Sequence, residues 1–360
     1  MRRYVIFCLL CTGLFFSFAT ASAASEEKPL QAVIYVDEQP VKTEYIVKNG
    51  HLYVPALFLK HAGAFVNWNR QYNAVIFQHN EKMISFPVGK KVFYEFLRKE
   101  NRWDPHPLAE VTMKMNGTPY VPLVTVAKAL EMDVTYDRAS RNTYVTSNVE
   151  VAENQLLYGD RRLKVGALTF DDGPDDYYTP QILDILKEKN VPATFFMMGK
   201  NVAKYPQQVK RIVQEGHGIG NHTYDHPDLR KAWTTDVTNQ IQSTQYELMR
   251  VVGRQPDLFR PPYGALTKAD VKLLNELGFR NILWSVDTLD WKGKTGEEIL
   301  EIVHEQVFPG GIILQHNFGA TGGELHGTIE ALPMIIDELR KEGYTFVTVQ
   351  TMLDLQKWNR

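Results

Sequence analysis

The amino-acid sequence predicts an α/β protein, a distorted (β/α)7-type barrel preceded by a smaller α+β domain built from two short repeats. Residues 30–148 contain short β-branched and aromatic runs and a sequence that occurs twice, which indicates strands joined by tight turns. From 160 to 360, apolar strands alternate with amphipathic helices, as in parallel βα units. Polar residues follow several of these strands, where barrels of this type place their functional groups.

The first residues are predicted to be a secretory signal, 1–23. Two arginines precede an apolar run, 4–18, and Ala21-Ser22-Ala23 offers small residues for cleavage. A retained anchor is the weaker alternative, because the run is shorter than the roughly 20 residues of a spanning helix. We therefore expect no stable membrane span after cleavage. Both cysteines lie in this segment, so the mature chain has no disulfide and no thiolate ligand.

The composition is that of a globular protein, with 44% hydrophobic and 23% charged residues. Basic and acidic residues nearly balance, giving a net charge of −2, and the chain contains no basic run. Nucleic acid is therefore not an expected partner. A neutral or weakly charged polymer is compatible with this charge balance.

The α+β domain is predicted from one repeated unit. The sequence Asn-Gly-x-x-Tyr-Val-Pro occurs at 49–55 and again at 116–122, and its Asn-Gly pairs provide turns that accept positive φ. Each copy is followed by a short apolar-periodic helix and a strand, at 56–62, 65–68, 123–130 and 134–136. Further strands are predicted at 33–36, 75–77 and 143–145. This half resembles the copper amine oxidase N-terminal-like, or stalk, domains of exported bacterial proteins. That resemblance implies a structural or wall-binding module, and His51 and His61 lack the spacing of a metal site.

The barrel elements follow from apolar runs and from residues typical of helix ends. Strands are predicted at 165–170, 193–198, 218–220, 258–260, 281–286, 311–315 and 344–349. Thr179, Thr234 or Thr235, and Thr267 are predicted to be the N-caps of three helices, and Pro206 is predicted to begin a further one. Pro180 is predicted to occupy the first helical position after Thr179. Gly216, Gly253 and Gly278 are predicted to end the second to fourth of these helices in chain order. Later helices are predicted near 297–306, near 329–342 and at the C-terminus.

Asp171 and Asp172 follow the first barrel strand. Two adjacent carboxylates are costly to place together unless a cation or a proton separates them. Neighbouring side chains of an extended segment point apart, so one can bind a metal while the other faces a substrate. A simple Asp-Gly-Pro turn is the alternative.

His222 and His226 follow another strand and can converge on one cation. With ten histidines in 360 residues, such a pair also arises by chance. One aspartate and two histidines leave a coordination position open for water, which is the pattern of a catalytic site. Further strand ends carry Arg260, Tyr263, Asp290, Trp291, Leu314 and His316, each of which also has a purely structural interpretation.

The motifs in this order make the second half similar to the polysaccharide deacetylases of the NodB homology type, carbohydrate esterase family 4. The resemblance covers about 165–349, and the matching motifs lie at 169–174, 222–226, 260–264, 287–291 and 314–316. Asn317 departs from the family pattern, in which an aspartate commonly follows the histidine.

The resemblance implies a role for each residue. Asp172, His222 and His226 hold a divalent ion, expected to be zinc; Asp171 is the general base, and Arg260 orients it. The backbone N–H of Tyr263 stabilises the oxyanion. His316 protonates the departing amine, and Asp290 keeps His316 protonated. Trp291 and Leu314 line the acetyl pocket.

We therefore predict a secreted, metal-dependent polysaccharide N-deacetylase acting on N-acetylglucosamine of peptidoglycan, because the signal, the absence of cysteine and the stalk-like half suit a bacterial envelope. It is expected to be a monomer, secreted or associated with the cell wall. Chitin oligomers, poly-N-acetylglucosamine and acetylxylan are alternative substrates. A non-catalytic wall-binding protein and a barrel amidase for small metabolites are alternatives of other classes.

Overall fold

The structure is a computed structural model that describes residues 28–319 and 325–358. The predicted signal segment, 1–23, lies outside these residues. Among the described helices, none combines the length and the apolar character needed to cross a membrane.

The N-terminal half forms two antiparallel-rich sheets around short helices. Its strands are β1 Leu30–Val36, β2 Gln39–Lys48, β3 His51–Pro55, β4 Phe65–Asn69, β5 Ala74–His79, β6 Lys82–Pro87, β7 Val92–Leu97, β8 Arg102–Pro107, β9 Met113–Met115, β10 Thr118–Pro122, β11 Asp133–Asp137 and β12 Asn142–Thr146. A 3-10 helix, Ala56–Lys60, follows β3, and α1, Leu123–Ala129, follows β10. One sheet has the order β11-β12-β1-β2-β3-β10-β9, and the other is the meander β4 to β8. The repeated unit of strand, short helix and strand is thus present twice, and β3 and β10 pair antiparallel within one sheet.

The C-terminal half is a curled, parallel α/β sheet. Its strands are β13 Gln155–Leu156, β14 Val165–Asp172, β15 Thr194–Met197, β16 Gly218–Asn221, β17 Leu258–Phe259, β18 Arg280–Ile282, β19 Val286–Asp287, β20 Gly311–His316 and β21 Thr345–Phe346. Its helices are α2 Tyr178–Glu188, α3 Gly199–Lys204, α4 Pro206–Gln214, α5 Thr234–Val252, α6 Lys268–Glu276, α7 Gly296–Gln306, α8 His326–Lys341 and α9 Val349–Trp358. The strand order is β13-β18-β17-β16-β15-β14-β20-β19, with β21 also beside β14. The predicted α/β class and barrel type are confirmed, and parallel pairing brings the C-terminal strand ends to one side of the sheet.

Several predicted helix ends are confirmed. Thr267 caps α6 through a capping box with Asp270, and Gly253 ends α5 in the left-handed conformation at φ 65°.

Other predicted boundaries are wrong. Thr179 does not cap α2, because the Asp175 Oδ1 accepts hydrogen bonds from the backbone N–H groups of Tyr177, Tyr178 and Thr179. Helix α5 begins with Thr234, one residue after its cap Trp233. The single strand predicted at 281–286 is two strands, β18 and β19.

Candidate active site

The predicted site residues meet in one cleft of about 710 Å³ at the C-terminal ends of the parallel strands. Its walls include eight of them, namely Asp171, Asp172, His222, His226, Tyr263, Trp291, Leu314 and His316. The other two, Arg260 and Asp290, are 0% and 1% exposed. They lie behind the wall, where Arg260 contacts Asp171 and Asp290 contacts His316. The cleft therefore has a lining layer and a buried supporting layer.

Asp172, His222 and His226 form a cluster whose three ligand atoms lie within 4.8 Å of one another. The Nε2 atoms of His222 and His226 lie 3.5 and 3.6 Å from the Asp172 Oδ1. That oxygen is buried and has no hydrogen-bond partner among the described residues. A buried, unpartnered carboxylate oxygen facing two imidazole nitrogens fits a divalent cation, because the cation supplies the missing interaction.

The backbone supports the same cluster. The His222 Nδ1 lies 2.7 Å from the Arg260 carbonyl oxygen. Donation from Nδ1 to that carbonyl leaves Nε2 as the ligand atom, the usual outer contact of a metal-binding histidine. Asp172, His226 and Tyr263 have φ values of 77°, 67° and 60°. Left-handed backbone at non-glycine residues is costly and concentrates at functional sites.

The surroundings of the cluster favour the deprotonated forms of Asp172 and His226, which are the forms that bind a metal. Burial opposes ionisation of Asp172, but His222, His316 and His226 lower the pKa of Asp172 to about 2. Burial and the neighbouring His222 lower the pKa of His226. Burial acts in the same direction on His222, but the Asp171 and Asp172 carboxylates outweigh it and raise the pKa of His222. A cation bound here would take the place of that proton.

Arg260 holds Asp171 from behind. The Arg260 Nη1 donates to the Asp171 Oδ1 at 2.7 Å, which is a single hydrogen bond instead of the bidentate pair that Arg260 could provide. Its remaining donors reach the Thr169 hydroxyl and the carbonyl oxygens of Ile282 and Leu283. Burial lowers the pKa of Arg260, and the Asp171 carboxylate opposes that effect. Four of the five N–H donors of the guanidinium therefore have partners, and one of them fixes one oxygen of Asp171.

His316 is the register partner of Asp171 on the neighbouring strand β20, and Asp290 holds its side chain. The His316 Nδ1 lies 2.7 Å from the Asp290 Oδ1, and the His316 backbone N–H donates to Oδ2 at 2.8 Å. The Thr328 hydroxyl donates to the same Oδ2. Burial opposes protonation of His316, but Asp290 raises the pKa of His316 to about 9. The imidazole is therefore an imidazolium near neutral pH, with Nε2 as its free donor.

The sequence did not identify several cleft residues. Trp291 and Leu314 line the cleft, and Trp291 is 49% exposed. The additional lining residues are Met198, Lys200, Asp225, Pro261, Trp284, Asp287, Phe318 and Leu325. Position at a strand end could have indicated Lys200 and Asp225, which follow β15 and β16.

Asn317, the departure from the family pattern, supports the turn that carries Asp172. Its Oδ1 accepts from the Gly173 N–H at 3.0 Å, and its Nδ2 donates to the Thr179 hydroxyl at 3.1 Å. A Cβ at Gly173 would lie 2.2 Å from the Asn317 Nδ2, so the glycine permits this approach. Asn317 is therefore a structural residue of this turn.

Comparisons with known proteins agree with this geometry. The family model for polysaccharide deacetylase matches residues 159–282, and the model for the copper amine oxidase N-terminal domain matches residues 33–145. A peptidoglycan-N-acetylglucosamine deacetylase of Bacillus cereus is 48% identical over 191 residues, 53% of this chain and 69% of that protein. A Listeria monocytogenes protein with the same name is 40% identical over 58% of this chain, but the match spans only 42% of its greater length.

A peptidoglycan-N-acetylmuramic acid deacetylase of Bacillus subtilis is 35% identical over 54% of this chain and 73% of that protein. The crystal structure of a peptidoglycan N-acetylglucosamine deacetylase superposes with a TM-score of 0.54 at 46% identity, covering 55% of this chain and 92% of that one. The confirmed fold, the motif residues gathered in one cleft and these matches lead to one conclusion. This chain is a carbohydrate deacetylase and belongs to the polysaccharide deacetylase family, with a copper amine oxidase N-terminal domain preceding the catalytic half.

Proposed function

We propose that this enzyme is exported and removes N-acetyl groups from the N-acetylglucosamine residues of peptidoglycan in a metal-dependent reaction. The observation that carries the proposal is the cluster of Asp172, His222 and His226 in the same cleft as Asp171 and His316. Such a site has a cation-binding set, a carboxylate base and an imidazolium acid, which are the groups that amide hydrolysis requires.

The residues of the site divide the steps of this reaction among them. When bound by Asp172, His222 and His226, a divalent cation such as zinc supplies Lewis acidity and lowers the pKa of water. Asp171, fixed by Arg260, accepts the proton of the attacking water. The backbone N–H of Tyr263 stabilises the oxyanion of the tetrahedral intermediate. The His316 Nε2 then donates a proton to the departing amine, so the products are acetate and a glucosamine unit.

The substrate assignment rests on the relatives. The proteins named for N-acetylglucosamine are 48% and 40% identical to this chain, whereas two that are named for N-acetylmuramic acid are 35% and 37% identical. N-acetylglucosamine is therefore the proposed residue, and N-acetylmuramic acid is the second candidate. Export to the outer face of a bacterial envelope, with or without attachment to the wall, is proposed because peptidoglycan lies there and because the predicted signal precedes the described residues.

Acetate release from purified peptidoglycan, with and without a chelator, tests the proposal. Mass spectrometry of the digested product identifies which sugar has lost its acetyl group. We expect release that stops with chelator and returns with zinc, and loss of acetyl from N-acetylglucosamine.

Chelator-insensitive release would refute the metal role. Release from chitin oligomers, poly-N-acetylglucosamine or acetylxylan alone would reassign the substrate. No release from any glycan would favour a non-catalytic wall-binding protein, and release from small amides alone would favour a metabolite amidase.

A further inference from the structure

Lys60 of the N-terminal half is fully buried against the catalytic half. Its side chain is 0% exposed, although it ends the short 3-10 helix Ala56–Lys60. The ammonium donates to the carbonyl oxygens of Leu229 and Ala232 at 2.7 and 3.0 Å. It also lies 2.8 Å from the Asp270 Oδ1. The ammonium thus makes two hydrogen bonds and one ion pair, all with the catalytic half.

These acceptors belong to the two segments that carry catalytic groups. Leu229 and Ala232 lie three and six residues after the predicted ligand His226, in the loop that leads to α5. Asp270 lies in α6, which follows the loop that carries Arg260 and Tyr263. Lys60 therefore connects the segment that follows the metal ligand His226 in the sequence to helix α6, which follows the loop that carries Arg260.

Further contacts hold the end of the loop after His226 and the first residues of α5 against the N-terminal half. The Val66 N–H donates to the Thr234 hydroxyl at 2.9 Å, and the Thr235 N–H donates to the Asn67 Oδ1 at 2.8 Å. The rings of Trp68 and Trp233 stack with centroids 6.1 Å apart. The segment from His226 to the start of α5 is thus held in place by contacts with the N-terminal half.

The internal repeat shows that Lys60 is not required by its own domain. Lys60 lies eleven residues after the asparagine of the first Asn-Gly-x-x-Tyr-Val-Pro copy, and the same place in the second copy is Ala127. Ala127 is also fully buried. The unit therefore folds with a small apolar residue at this place, and the lysine serves the contact with the catalytic half.

We propose that Lys60 is a positioning residue of the active site. It fixes the loop that follows His226 in the sequence and thereby determines how tightly the cluster of Asp172, His222 and His226 binds the metal. The N-terminal domain is then a working part of the enzyme and not only a spacer. The inference rests on the proposed function only through the metal cluster of Asp172, His222 and His226.

The test uses the full chain with Lys60→Met and with Lys60→Met combined with Asp270→Asn. The double variant removes the ion pair without leaving the Asp270 charge buried alone, so it separates loop positioning from simple loss of stability. Zinc affinity, measured by competition with a chelator, and the visible spectrum of the cobalt-substituted protein are read without substrate. We expect zinc affinity to fall about 10-fold in the double variant, the lower end of the loss for residues that contact a metal ligand directly, because Lys60 acts on His226 through the loop. The cobalt spectrum should change as well.

Lys268→Met is the matched control. Lys268 also bridges the two halves, to the Asp37 carboxylate at 2.8 Å and the Ser147 hydroxyl at 2.9 Å, but it does not contact the loop after His226. We expect this variant to keep zinc affinity near the wild-type value. An equal loss of zinc affinity in Lys268→Met and in the Lys60 double variant would mean that any weakening of the contact between the two halves lowers zinc affinity. That result would overturn the specific role of Lys60.

Wild-type zinc affinity in the double variant would also overturn the proposal, whatever its turnover. If the variants fail to fold, hydrogen exchange of the wild-type chain tests the proposal instead. Backbone amides of residues 231–237 that exchange as fast as those of a free peptide would show that the N-terminal half does not fix this segment, and would overturn the proposal. A wild-type chain that binds zinc but leaves peptidoglycan unchanged would refute the proposed substrate and leave this test intact.

Discussion

Asp290→Asn should shift the alkaline limb of the pH–rate profile to lower pH. The Asp290 carboxylate contacts the His316 Nδ1 at 2.7 Å and is 1% exposed, so its charge acts on the imidazole through little solvent. The asparagine keeps the size of the side chain and removes the charge. His316 then experiences burial, which disfavours the imidazolium, without the carboxylate that outweighs it.

The magnitude follows from the pKa of His316. Asp290 and the more distant Asp172 and Asp171 raise that pKa to about 9, from an ordinary value of 6.5. The difference corresponds to about 3.4 kcal/mol of preference for the imidazolium. Loss of this preference displaces the alkaline limb by up to about 2.5 pH units. Turnover at a pH above both limbs should therefore fall by up to roughly 300-fold, and turnover at a pH below both limbs should change little.

The assay is acetate release measured between pH 5 and pH 10 on both proteins loaded with the same metal. A bound cation lowers the pKa of His316 in both proteins, so the displacement between the two alkaline limbs is the predicted quantity. Asp287→Asn is the control, because Asp287 lines the same cleft but is not among the main charges acting on His316. Alkaline limbs that coincide in wild type and Asp290→Asn would refute the assignment of His316 as the acid.

Four further outcomes are expected. Asp172→Ala should abolish zinc binding and activity, whereas Asp171→Asn should keep the metal and lose about 10²- to 10⁴-fold in kcat; deacetylation by Asp171→Asn at the normal rate would exclude its role as base. Arg260→Met should lower the free energy of unfolding by about 3–5 kcal/mol, because Asp171 stays buried without its cation, and an unchanged denaturation midpoint would contradict this. The raised pKa of His316 contributes stability that is fully present below pH 6.5 and is lost as pH rises to about 9. The free energy of unfolding of the metal-free protein, measured in urea, should therefore fall over this pH range, and this fall should be absent in Asp290→Asn. Asn317→Ala should cost about 1–3 kcal/mol in the same measurement by leaving the Gly173 N–H unsatisfied; no change would show that the contact is dispensable.

The sequence alone determined the features that depend on local pattern. Alternating apolar runs predicted the parallel strands, and motif residues at their ends predicted the lining of the cleft, because parallel strands bring their C-terminal ends to one edge. The repeat predicted both copies of strand, short helix and strand, since the Asn-Gly turn and the apolar period lie within a few residues of each other.

Only the tertiary structure decided which distant groups meet. Asp175, and not Thr179, accepts hydrogen bonds from the first N–H groups of α2, and the Thr179 hydroxyl donates to the Asn317 carbonyl oxygen instead. Lys60 lies 169 residues before Leu229, and nothing in its local sequence indicates a buried lysine. The cost of burying a charge is offset by partners that the fold brings from elsewhere in the chain, so such residues are identified only when the chain is folded.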